Sequence, residues 1–271
     1  MNLPVVKKII ADGKKQKVYK LVVEDQGEEW SISISEDAFV RFHPYKGMEI
    51  SHEEMAKITH EERIQQAMNT ALNYLSYRKR SEKEVRDYLE GKGFSTDQID
   101  KTVERLEQNR YIDDVDFAES YINTQVKTSD KGILQIQREL ENKGIAEDII
   151  VEKLSLYPED VQLEKAIRIA EKYAKRKRNV SLKQLQAQIQ MTLQRKGYPF
   201  PVIQQVIHEL LQEVDEKQDQ AAIRQVGQKA LRKYQRLSEQ ERNLKIKQYL
   251  YRRGFTLDDI DDYLSEIREE S

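Results

Sequence analysis

Reactive chemistry needs particular side chains at usable spacing, and this chain of 271 residues is sparing with them. It has no cysteine and four histidines, His43, His52, His60 and His208. The histidines follow no ligand spacing, and without thiolates a structural zinc centre lacks its usual donor set. No G-x-x-x-x-G-K-[ST] segment is present to cradle phosphates. Asp113 and Asp114 are an adjacent carboxylate pair that can be read as acid–base groups. They follow Tyr111-Ile112 at the expected start of a helix, where acidic groups favour the helix dipole. No catalytic residue, metal site or cofactor is therefore expected, and the protein is read as a non-enzyme.

Charge is the other chemistry available. Acidic and basic residues make up 35% of the chain, yet the formal net charge is only -2. A balanced total argues against a wholesale polyanion binder but permits local segregation. Basic residues gather at Arg78-Lys79-Arg80, at Lys172, Lys175, Arg176, Lys177 and Arg178, and further on at Lys183, Arg195, Lys196, Arg242, Lys245, Lys247, Arg252 and Arg253. With Arg86, Arg138 and Lys143 these supply the candidate contacts to a partner: Arg78, Lys79, Arg80, Arg86, Arg138, Lys143, Arg176, Lys177, Arg178, Arg195, Lys196, Arg252 and Arg253. Tyr74, Tyr77 and Tyr173 are possible stacking platforms for a single strand.

The elements that position these groups are written in a repeat. Leu89-Glu-Gly-Lys-Gly93-Phe94 returns as Leu140-Glu-Asn-Lys-Gly144-Ile145, Leu193-Gln-Arg-Lys-Gly197-Tyr198 and Leu250-Tyr-Arg-Arg-Gly254-Phe255. Apolar residues stand eight and four before each glycine (Val85 and Leu89, Ile136 and Leu140, Ile189 and Leu193, Ile246 and Leu250). They recur six, ten and thirteen after it, as in Ile99, Val103 and Leu106. Such spacing gives two helices, each with one buried face, joined at a glycine that ends the first. Ser81-Glu-Lys-Glu84 and Ser95-Thr-Asp-Gln98 read as capping boxes, and Ser181 and Ser238 mark equivalent starts. A further helix precedes each pair, centred on Leu72, Tyr121, Ile169 and Leu231, so the unit is three helices.

Residues 1–52 differ in texture. Val5–Ala11, Val18–Val23 and Trp30–Ile34 are β-prone runs separated by the turn signals Asp12-Gly13 and Gln26-Gly27. They predict a three-stranded antiparallel sheet, with Trp30 helping to cover it and a short helix over residues 36–42. The fold class is mainly α: tandem three-helix repeats at 53–110, 111–158, 159–215 and 216–271, stacked into an elongated curved array behind a small β-rich cap. No export signal or membrane span is evident, so a soluble, cytoplasmic monomer is expected.

A helix-turn-helix within a three-helix unit suggests groove reading of DNA. The helices after the glycines carry net acid in all four repeats, most heavily in the last, with Asp258, Asp259, Asp261, Asp262, Glu266, Glu269 and Glu270 against Arg268. Phosphate would repel them. The basic groups lie instead on the middle helices and near the repeat boundaries, which predicts a basic ridge and an acidic ridge. A protein filament on nucleic acid, long, grooved and rich in phosphate, suits such a surface.

Several motifs, in order, resemble the RecX family. They are Tyr74 to Phe94, with Tyr-Leu-Ser-Tyr-Arg-Lys-Arg-Ser-Glu-Lys-Glu-Val-Arg-Asp-Tyr-Leu-Glu-Gly-Lys-Gly-Phe; Tyr111 to Ile122; Gly132-Ile-Leu-Gln-Ile-Gln-Arg-Glu-Leu-Glu-Asn-Lys-Gly-Ile145; and Leu193 to Ile203. The likeness covers residues 65–210, and the β-rich start and fourth repeat are similar to the longer members. It implies a regulator of recombination, DNA repair and the SOS response that binds the RecA recombinase filament on single-stranded DNA, lies in its groove, and lowers ATP hydrolysis and strand exchange. Gln135 stands where a basic residue is expected in the second motif. The alternatives are a direct single-stranded DNA-binding protein, which would show steep salt dependence without recombinase, and a helical-repeat adaptor that ignores DNA.

Overall fold

The computed structural model describes residues 3–11, 18–176, 180–212 and 216–269. The expected Asp12-Gly13 turn and the cluster members Lys177 and Arg178 lie outside them. The described residues fall into two compact units, Met1–Phe117 with Lys143–Ile145, and Ala118–Asn142 with Ala146–Ser271.

In unit 1, β1 (Val5–Ala11), β2 (Val18–Asp25) and β3 (Glu28–Ser35) form an antiparallel sheet in that order. Gln26 and Gly27 both take positive φ (50° and 89°), the backbone of a tight two-residue hairpin that pairs Asp25 with Glu28. Ser31 and Ser33 face solvent while Ile34 is buried, as their alternation predicts. Val6, Leu21, Val23 and Ile34 close a core with Met55 and Ile58 of α2 (His52–Leu75), and α1 (Glu36–Phe42) adds Ala38. Trp30 departs from its expected role. It is 39% exposed and lines a shallow cleft with His52, Met55 and His60, because the buried part of β3 is its far end, where Ser35 N–H donates to Glu62 (2.7 Å).

Helices α3 (Glu82–Gly91) and α4 (Thr96–Gln108) complete the first bundle with α2, around Ala67, Ala71, Val85, Leu89, Val103 and Leu106. There follow α5 (Asp114–Thr128), α6 (Ile133–Asn142) and α7 (Glu147–Lys153); α8 (Glu159–Arg176), α9 (Leu182–Arg195) and α10 (Phe200–Gln212); and α11 (Glu216–Tyr234), α12 (Glu239–Tyr251) and α13 (Leu257–Glu269). Every apolar residue named by the glycine frame is buried or half-buried. Ser81 and Ser95 make complete capping boxes, Ser181 caps through Gln184 N–H, and the Ser238 hydroxyl reaches only the Glu241 carboxylate (2.8 Å). One helix is shorter than the spacing predicts. After α7 the chain tightens to a 3₁₀ turn at Leu154–Leu156, because Pro158 biases Tyr157 away from helical backbone (φ -118°, ψ 74°). Tyr157 is buried nonetheless.

Gly93, Gly144, Gly197 and Gly254 all adopt left-handed backbone, φ from 80° to 85°. The amide three places past the helix end closes a six-residue loop, as in Phe94 N–H to Leu89 O (3.3 Å) and Tyr198 N–H to Leu193 O (3.1 Å). Three of these turns also support another helix. In unit 1 the Ser81 hydroxyl donates to Lys143 O (2.7 Å). In unit 2 Gly132 N–H donates to Lys196 O (2.8 Å), Leu134 N–H to Gly197 O (3.0 Å) and Ser181 N–H to Arg253 O (3.2 Å). Each joint sets a glycine turn against the start of the middle helix of the preceding repeat. The approach is close: a methyl on Gly197 would stand 2.5 Å from Gln135 N, and one on Gly132 would stand 2.4 Å from the backbone of Gly197.

Candidate interaction surface

The middle helices bury the residues eight and four before their glycine, so those ten, six and two before it point the opposite way. In unit 2 these are Leu134, Arg138 and Asn142 on α6; Ala187, Met191 and Arg195 on α9; and Leu244, Gln248 and Arg252 on α12. All nine are exposed, including Leu134 (39%), Met191 (61%) and Leu244 (56%). Each helix thus offers one large aliphatic side chain and one arginine, with no acid in the set. Among the described residues Arg138 and Arg195 have no ion-pair partner, and Arg252 Nε donates to Gln248 O (3.2 Å). The same register on α3 holds Lys83, Asp87 and Gly91, and Lys83 is bridged to Asp87 (2.7 Å).

The basic residues of unit 1 are placed differently. Arg78 and Lys143 both engage Glu84 (2.9 and 3.0 Å), Lys79 engages Asp116, and Arg86 engages Glu82 and Asp100. Arg80 lies over the Tyr74 ring, 4.0 Å from its centroid. Burial alone would raise the Glu84 pKa, but donation from Arg78, Lys143 and Ser81 N–H outweighs it and holds the carboxyl down at about 2. Burial pushes Asp114 upward, and its carboxylate accepts Glu82 N–H (2.8 Å), while Asp113 accepts Asp116 N–H at the start of α5. Both acids thus bond backbone amides.

In unit 2, Lys196 bridges to Asp130 (3.6 Å), and Arg253 donates to Tyr249 Oη while covering that ring. Arg176 is exposed at the end of α8. Gln135 donates to Glu139, which also accepts from Lys131 and Tyr121. Of the candidate stacking tyrosines, Tyr74 is stacked on Tyr88 (4.0 Å) and Tyr173 donates to Gln188; Tyr77 is 85% exposed. Leu134, Met191 and Leu244 were not among the sequence candidates. Their signal was available, as large aliphatic residues at positions that the glycine frame turns away from the core.

Among the described residues no cluster of three or more His, Asp or Glu could hold a metal ion, and no helix is long and apolar enough to cross a membrane.

Three family models match in order: RecX, first three-helix domain, at residues 67–106; second three-helix domain, at 113–154; and third three-helix domain, matched twice, at 160–207 and 216–264. The double match makes the fourth bundle a second copy of the third type. The chain is 37% identical over 264 residues to the Regulatory protein RecX of Bacillus velezensis, covering 97% of this chain and 99% of that one. The Regulatory protein RecX of Geobacillus sp. is 39% identical over 250 residues, 92% and 91% of the two chains. Among solved structures, the "Crystal structure of regulatory protein RecX" superposes with a TM-score of 0.64 at 27% identity, over 75% of this chain and 98% of that one. RecX from Lactobacillus salivarius gives 0.53 at 38% identity, over 55% and 97%. With its three-helix bundles matched in order and its relatives similar along nearly their whole length, the chain belongs to the RecX family.

Proposed function

We propose that this protein regulates the RecA recombinase by binding its filament on single-stranded DNA, and that it does so in the cytoplasm without catalysing a reaction. The exposed faces of α6, α9 and α12 make the contact, lying in the filament groove. There they lower ATP hydrolysis and strand exchange by favouring one filament geometry over others. The observation that carries this reading is the recurrence, on one face of three helices, of an exposed aliphatic residue and an arginine: Leu134 with Arg138, Met191 with Arg195, Leu244 with Arg252. Arginine with aliphatic neighbours suits a surface that is part protein and part phosphate.

The test is RecA-catalysed ATP hydrolysis on single-stranded DNA, titrated with this protein while binding to free DNA is recorded at the same salt. Hydrolysis should fall at concentrations that leave naked DNA uncoated. Loss of hydrolysis only at DNA saturation would put direct strand competition in its place, and no effect on either would leave a protein adaptor.

A further inference from the structure

The three joints between repeats follow one plan: the carbonyl of a basic residue just before a glycine accepts from the start of another middle helix. The covered groups are sequestered. Ser81 (0% exposed) and Ser181 (2%) are buried at their helix starts, as is Gly132. On the turn side Ile145, Tyr198 and Phe255 are buried, and Lys143, Lys196 and Arg253 are half-buried.

Among the described residues the four repeats make three such joints, and one turn and one helix start are left exposed. The turn is Lys92-Gly93-Phe94. Lys92 and Gly93 are exposed, Phe94 is only half-buried, and a methyl on Gly93 would meet nothing within 4 Å. The helix start is that of α12, where Ser238, Glu239, Gln240 and Glu241 are all exposed and Ser238 caps no backbone amide. The two surfaces complement each other in charge as the first internal pair does. Glu84, three residues after Ser81, takes the Lys143 ammonium; Glu241, three residues after Ser238, faces no docked turn, and Lys92 is the basic residue of the turn that lacks a helix. Gln184, also three after its serine, lies against Gly254, which places Glu241 opposite Gly93 in the equivalent contact.

We propose that this leftover pair is an interface between copies: the start of α12 in one molecule docks on the Lys92-Gly93-Phe94 turn of a second copy of this chain. Ser238 donates to Lys92 O and Glu241 receives the Lys92 ammonium. The two surfaces are different, so the contact is heterologous and leaves each added copy with one end open for the next. The internal joints form at the effective concentration set by a continuous folded chain, whereas the joint between copies has no such connection. It is therefore weak in dilute solution and gains weight where copies are held side by side.

Sedimentation equilibrium of the full chain up to several hundred micromolar, at low salt, tests this without any other protein or DNA. The weight-average mass should climb with concentration. Lys92→Glu and Glu241→Lys should each lower the association constant by about tenfold, since each sets like charges face to face. An equal mixture of the two variants should regain association, because the base introduced at the start of α12 in one then meets the acid introduced in the turn of the other. Wild-type protein that stays monomeric overturns the proposal. So do variants that associate as wild type does, or a mixture no stronger than its components.

Discussion

Glu84 gathers Arg78, Lys143 and the Ser81 amide around one carboxylate, and its pKa of about 2 has a consequence for stability. A carboxylate depressed from the ordinary 4.5 contributes stability that is fully present above about pH 4.5 and is lost as pH falls towards 2. Glu84→Gln should lower the melting temperature by on the order of a few degrees at pH 7, with the gap to wild type closing between about pH 4.5 and 2. Thermal melts across that range check it; a gap independent of pH would show that the charge is not what matters. The glycines make a second comparison. Gly93→Ala places a side chain in left-handed backbone with open space around it, for a cost of about 1–2 kcal/mol. Gly197→Ala adds the clash with Gln135 and should cost more, which denaturant midpoints of the two variants will rank.

For the helices, exposure on the middle helix of each repeat decides which arginines are free to act. On the proposed function, reversing Arg138 and Arg195 to Glu together should weaken the effect on RecA hydrolysis about tenfold or more at moderate salt, whereas Arg86→Glu, which breaks bridges to Glu82 and Asp100, should change stability first. Hydrolysis titrations beside thermal melts separate the two effects. Replacing Leu134, Met191 and Leu244 by Ser should weaken inhibition with little change in its salt dependence, as apolar contacts are not screened. Most of the helices and their ends were legible in the sequence, because the glycine frame and the serine caps are local signals read over ten or so residues; the early end of α7 and the uncapped start of α12 were not. The β-hairpin at Gln26-Gly27 was legible for the same reason. What the sequence withheld depends on groups distant in the chain. Whether Arg78 is free or bound to Glu84, and whether Gly144 merely ends a helix or also meets Lys83, is decided by packing. Trp30 was misjudged because its burial depends on how far α2 covers β3.

At the scale of whole bundles, those of unit 2 share backbone hydrogen bonds with their neighbours, so the opening of one is felt at the start of the helix it supports. Phe255 is 2% exposed in the fourth bundle, and Phe255→Ala should cost that bundle about 3–5 kcal/mol. Hydrogen exchange of the Ser181 amide, bonded to Arg253 O, should then accelerate, while the Gly132 amide, bonded to Lys196 O, changes much less. Equal acceleration at both would show that unit 2 opens as one piece. The joints also impose an order on synthesis. Each is made by a turn that follows its helix start by dozens of residues: Lys143 lies 62 residues after Ser81, and the later turns are as far from theirs. A ribosome delivers the chain from its N-terminus, so every nascent bundle emerges with the start of its middle helix uncovered. It is sealed only when the next bundle has left the exit tunnel.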